Sequence, residues 1–176
     1  MSAAIVRSAE HRDLEACVEL ALAASGESVS GAEAWRRGLA TDLDDPDRLL
    51  LVAELDARVV GYGRVRTFEP EEGAPPETCP AGYYLLGLYV RPDSRRRGIG
   101  LALTDERLDW ITERADEAWF FSNAQNTASI ALHRSLGFGE VTRRFRFPGA
   151  TFDGGEGILF RAALASVGHA SGEDLP

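Results

Sequence analysis

The chain has 176 residues, of which 44% are hydrophobic and 27% charged, and it carries a net charge of -9. That length suits one domain with a sizeable core, and the composition is that of an ordinary globular protein. The acidic balance argues against a nucleic-acid partner, and no apolar run approaches the length of a membrane span.

Met1–Ala4 opens no signal peptide, so the cytoplasm is the expected location. Cys17 and Cys79 make neither a metal-ligand spacing nor a disulfide framework, and no metal site is expected. An acidic surface attracts amines, although it also simply keeps a protein soluble.

Ala4–Arg7 reads as a short first strand, with Ser8 as the N-cap of the helix that follows. Leu14, Cys17, Val18 and Ala21 share one helical face, and Gly26 ends that helix. Ser30–Leu43 reads as a second helix, closed by Asp44-Asp45-Pro46. Leu49–Glu54 and Val59–Val65 form a hairpin signal, in which Gly61 and Gly63 suggest a bulge or a close backbone approach. Phe68–Gly82 is a long acidic loop whose four glutamates either line a cation site or are simply solvated.

Leu85–Val90 is a buried strand stopped by Pro92. Behind it comes Arg95-Arg96-Arg97-Gly98-Ile99-Gly100, then a helix with Leu101, Leu108, Ile111 and Ala115 on its apolar stripe and Arg107 facing outward. Ala118–Phe121 is a short apolar strand. Asn126–Phe138 reads as an amphipathic helix with Ala128, Ala131, Leu132 and Ser135 on one face, ended by Gly137. Gly139–Phe147 and Gly157–Ala162 complete the strands. Residues 1–165 read as a single domain, and 166–176 as a polar, frayed tail. The order β-α-α-β-β-β-α-β-α-β-β gives an α+β fold.

The glycine loop is the most telling stretch. Gly98 and Gly100 lack a Cβ and sit at a helix start, where backbone N–H groups have no intrahelical partner and the dipole is positive. The arginines add attraction for phosphate, so the loop reads as a pyrophosphate cradle. A Walker loop would need Lys-Ser/Thr after the last glycine, where Leu101-Ala102 stands. A dinucleotide fingerprint would need glycine at position 103, which is leucine.

The pattern that fits is Arg/Gln-x-x-Gly-x-Gly after a strand, and it resembles the acyl-CoA loop of the GCN5-related N-acetyltransferases, the GNAT superfamily. Asn126, Ser129, Leu132, Gly137 and Phe138 are similar to that superfamily's second signature, and the two stretches occur in the family's order. The resemblance covers Leu49 to about Phe160 well, and the first two helices only in order. It implies a mixed, mostly antiparallel central sheet flanked by about four helices, with the fourth and fifth strands splayed.

It also implies direct acetyl transfer from acetyl-CoA to an amine. Carried over residue by residue, Leu88, Tyr89 and Val90 would line the pantetheine arm, and the Val90 N–H would serve as an oxyanion donor. Arg95, Arg96, Arg97, Gly98, Ile99, Gly100 and Leu101 would hold the pyrophosphate, and Asn126 and Ser129 would contact the arm. Family members are often dimers, and the sequence does not decide whether this one is a homodimer.

Two positions depart from the family pattern. His133 stands where a tyrosine is usual, the residue thought to protonate the departing thiolate. Neutral imidazole can donate through one N–H, so His133 is a candidate general acid, with packing against the cofactor as its alternative. Some branches acting on amino-acid-like antibiotics also carry Leu-His here. The carboxylate base of many members is absent, because Leu86, Gly87, Leu88 and Phe121 occupy its positions. Tyr83, Tyr84, Glu69 and Glu77 are base candidates by location only. The expected function is N-acetylation of a small-molecule primary amine. Acetylation of a protein N-terminus or lysine, and a non-catalytic acyl-CoA-binding module, are the rivals.

Overall fold

Strand β2 (Leu49–Leu55) is apolar at nearly every position because both of its faces are covered. Leu49, Leu51, Ala53 and Leu55 enter one buried cluster, while Leu50 and Val52 enter another on the opposite face. The computed structural model describes residues 3–25, 31–152 and 154–164. The expected helix end at Gly26, the helix start at Ser30 and the tail 166–176 lie outside the described residues.

The remaining elements are β1 (Ile5–Ser8), α1 (Leu14–Ser25), α2 (Ala32–Asp44), β3 (Arg58–Phe68), β4 (Gly82–Val90), α3 (Ile99–Thr112), β5 (Glu117–Asn123), α4 (Thr127–Ser135), β6 (Gly139–Thr142) and β7 (Gly157–Ala163). They form one seven-stranded sheet in the order β1-β2-β3-β4-β5-β7-β6. Every pairing is antiparallel except β4 with β5, the two strands that α3 connects. The fold is the α+β mixed sheet that the element order implies.

Helices α1 and α2 cover one face through Cys17, Val18, Leu20, Ala21 and Leu39, packed on Leu50, Val52 and Tyr62. Helices α3 and α4 cover the other face, where Ile99, Leu103, Ile111 and Ile130 meet Val65, Leu85, Phe120 and Phe160. The half of the first face that no helix covers is closed by loops. Phe68, Tyr84, Phe121, Phe145 and Phe147 pack together there. A bridge between Thr78 and Arg146 ties the loop 69–81 to the loop that follows β6.

Four sequence expectations need correction. Ser8 ends a strand and caps no helix. The turn into α1 is held by Asp13, which accepts the Glu10 N–H at 2.8 Å and a forked pair from Arg7 at 2.7 and 2.9 Å. The inward stripe of α3 is Ile99, Leu103, Thr104, Arg107 and Ile111, whereas Leu101 is 43% exposed. The buried residues of α4 are Ile130 and His133, while Ala128 and Ser135 look outward. The sixth strand stops at Thr142, because the chain beyond it joins the phenylalanine-rich loop.

Candidate active site

Strands β4 and β5 pair only at Tyr84–Trp119 and Leu85–Phe120, and then part. The cause lies within β4. Gly87 has a φ of +54°, and between Tyr62 and Arg64 of β3 the register of β4 slips by one residue. That β-bulge bends β4 away from β5. A Cβ on Gly87 would stand 3.0 Å from Arg64 Cδ, so the position excludes side chains on two counts.

The gap has a volume of about 160 Å³, between Leu86, Gly87 and Leu88 on one side and Phe121 and Ser122 on the other. Asn126, Ser129 and His133 of α4 close its end. Leu88, Asn126 and Ser129 also border a second, larger cleft of about 600 Å³ that reaches the glycine loop. The two spaces therefore share walls as one groove. The Arg91 N–H donates to Val60 O at 2.8 Å, so alternation along the strand turns the Val90 N–H and C=O away from β3 and toward this groove.

The loop before α3 is shaped by two left-handed residues, Arg96 at φ +62° and Gly98 at φ +77°. Gly98 is the N-cap of α3, and no side chain caps the N–H groups there. Gly100 is different: it sits in regular helix, and a Cβ built on it would meet only Leu132 Cδ2 at 3.8 Å, an ordinary contact. Neither glycine is forced by packing against the protein, and Gly98 and Gly100 both border the larger cleft. Arg95 Nε donates to Val90 O at 3.0 Å and its cation lies 5.7 Å from the Tyr89 ring, fastening the loop to the end of β4.

Of the thirteen residues expected at the site, the groove is lined by Leu88, Tyr89, Val90, Arg95, Arg96, Gly98, Ile99, Gly100, Leu101, Asn126, Ser129 and His133. Arg97 is exposed and lies outside the lining. Asn126 caps α4 by accepting the Ser129 N–H at 3.3 Å. His133 is only 1% exposed, and its ring stacks on Phe120 at 3.6 Å and 2°. Its Nδ1 lies 2.8 Å from Ser129 O, whereas its Nε2 has no hydrogen-bond partner. Burial pushes its pKa down to about 4, opposed by the Ser129 bond and reinforced by Arg107.

None of the location-based base candidates reaches the groove lining. The Tyr84 hydroxyl donates to Pro80 O at 2.7 Å, and Tyr83 packs edge-on against Trp110. Glu77 pairs with Arg146 at 3.2 Å, and Glu69 is exposed in the chain leaving β3. Among the described residues, no three His, Cys, Asp or Glu side chains could jointly hold a metal ion.

The sequence reading missed Gly87, Ser122 and Ala24 as groove residues. An isolated glycine inside a strand was the available sign for Gly87, and nothing local marks the other two. It also missed Arg107, which is 1% exposed and donates to Leu103 O, Arg64 O and Thr104 Oγ1. Burial lowers this guanidinium to about 9, so it remains charged at neutral pH beneath the bulge.

Comparison with known proteins agrees with this geometry. The model of the acetyltransferase (GNAT) family matches residues 14–138. The [ribosomal protein bS18]-alanine N-acetyltransferase of Escherichia coli (strain K12) is 40% identical over 85 residues, which is 47% of this chain and 56% of that enzyme. The chain thus spans little more than half the length of that curated relative. The aminoglycoside N(6')-acetyltransferase type 1 of Klebsiella aerogenes is 33% identical over 109 residues, covering 58% of this chain and 68% of that enzyme. The crystal structure of the ribosomal-protein-alanine N-acetyltransferase from Brucella melitensis superposes with a TM-score of 0.70 at 27% identity, over 91% of this chain and 99% of that one. Among the described residues, no helix is long and apolar enough to cross a membrane.

Proposed function

The chain belongs to the GNAT acetyltransferase family, and we propose that it transfers an acetyl group from acetyl-CoA directly to a primary amine of a small molecule. The observation that carries this reading is the gap between β4 and β5, continuous with a glycine loop whose Gly100 has no packing reason to lack a side chain. Acetyl-CoA supplies the activated thioester, and the protein supplies position and electrostatics. The N–H groups of Arg96–Leu101 face a diphosphate, with Arg95 and Arg96 adding charge. Leu88 and Val90 offer main-chain groups to an extended arm that takes the place of a missing strand, beside Asn126 and Ser129. The Val90 N–H would hold the thioester oxygen as charge develops on it. His133 is the titratable side chain at the end of the gap and the catalytic residue of this reading.

The nature of the acceptor rests on the two loops. Their bridge at Thr78 and Arg146 and the shared phenylalanine cluster make a closed wall beside Phe121, which suits a small amine. A protein N-terminal amine is the second reading, favoured by the likeness to ribosomal-protein-alanine acetyltransferases. Release of CoA thiol from acetyl-CoA, followed with aminoglycosides, polyamines, amino acids and short peptides, separates the two. Turnover with a small amine is the expected result. Turnover confined to peptides transfers the function to the second reading. No turnover, with acetyl-CoA still raising the melting temperature, would mean a binding module.

A further inference from the structure

The acetyl-transfer reading leaves the reaction without a base, and the inference here rests on that reading. A carbonyl oxygen only accepts hydrogen bonds, so the 2.8 Å contact between His133 Nδ1 and Ser129 O requires the hydrogen on Nδ1. In neutral imidazole the other nitrogen is then bare. Nε2 is therefore a lone-pair acceptor, buried and without a protein partner, on a residue that lines the end of the gap. The parallel stack on Phe120 and the edge contact with Phe138 at 5.4 Å fix the ring in that orientation.

The surroundings keep the ring neutral. Phe120 of β5 and Phe138 beyond α4 bring no charge, and the charged group acting on it from α3 is the cation of Arg107. No carboxylate lines the gap to favour imidazolium. A neutral ring with its N–H already engaged cannot begin by donating a proton to sulfur. It can begin by accepting one.

We propose that His133 Nε2 acts first as the base and then as the acid of a single turnover. The amine enters neutral, having left its ammonium proton in solvent. As the N–C bond forms, Nε2 takes one proton from that nitrogen. As the C–S bond breaks and its electron pair goes to sulfur, Nε2 returns the same proton there. The products are the amide, the free thiol and a neutral histidine. A poorly basic imidazole suits both halves: the nitrogen becomes strongly acidic once bonded to carbon, and a thiolate whose acid has a pKa of ~8.5 readily takes a proton from a weak base's conjugate acid. A tyrosine here, protonated at neutral pH, could perform only the second half.

Long-range 15N–13C correlation of the ligand-free protein at pH 7 reads the tautomer directly. The expected result is a protonated Nδ1 and a bare Nε2 for His133; a hydrogen on Nε2 would overturn the proposal. In turnover, His133→Tyr and His133→Gln should each lose about 100-fold or more in kcat, the range of one general acid–base residue. Their thermal shift with acetyl-CoA should be retained, which shows that the variants fold and bind donor. A His133→Tyr protein with wild-type kcat would show that donation alone suffices and would sink the shuttle. Loss of acetyl-CoA binding by the wild type would instead remove the underlying reading, whatever the tautomer.

Discussion

At the scale of single residues, His133 links stability to pH. Its folded pKa of about 4 lies below the ordinary value of 6.5, so on acidification the unfolded chain takes up the proton first. The stability this residue allows is complete above pH 6.5 and is lost as pH falls toward 4, by about 3 kcal/mol in all. Melting temperatures measured from pH 7 to 4.5 should therefore fall more steeply for the wild type than for His133→Gln; parallel curves would contradict the burial argument. The sequence showed that a histidine stood in the second signature, but not which nitrogen carries the proton, because that depends on a carbonyl one helical turn back. Arg107 was read as outward for a related reason. Counting apolar residues selects Leu101 and Leu108, whereas the room for a buried guanidinium is made by Gly63, whose absent Cβ would lie 3.0 Å from Arg107 Nε. An isolated glycine in a strand signals a close approach at Gly63, but the sequence does not name the side chain that approaches.

At the scale of elements, α2 and β3 are joined by one carboxylate. Asp42 is buried and accepts from Arg64 at 2.6 Å, Arg66 at 2.7 Å and Arg48 at 3.3 Å. Burial lowers the pKa of Arg64, and its attraction to Asp42 is the largest opposing effect. Removing one partner of such a cluster leaves uncompensated charge, which costs about 3–5 kcal/mol. Asp42→Asn should lower urea-unfolding stability by about that much, and a change below ~1 kcal/mol would mean that water solvates the arginines freely. Arg64 also packs under Gly87, so this cluster sits directly behind the bulge that opens the gap. The order of strands and helices was legible because period-2 and period-3.6 patterns are local. The bulge was not, since it depends on the register between β3 and β4, and α4 misled because its small residues look outward or into the groove, as Ala128 does, while His133 turns to the core.

At the scale of the whole molecule, the sheet's two halves divide the work. The half with α1 and α2 is a two-faced sandwich, and the half with β5, β7 and β6 carries α4 on one face and the tied loops on the other. The groove runs where the halves separate. Its glycine-loop end is arginine-rich within a chain of net charge -9, so under the proposed function the local field would favour an anionic donor and the global field a cationic acceptor. Calorimetric titration of acetyl-CoA into the wild type and Gly100→Ala tests this arrangement most directly. Alanine fits the free protein and improves helix propensity by up to ~1 kcal/mol, so the variant should melt no lower. One saturable site is expected in the wild type, weakened about tenfold or more by the added methyl, a difference of ~1.4 kcal/mol. Equal affinity in the two proteins, or no binding to the wild type, would contradict it.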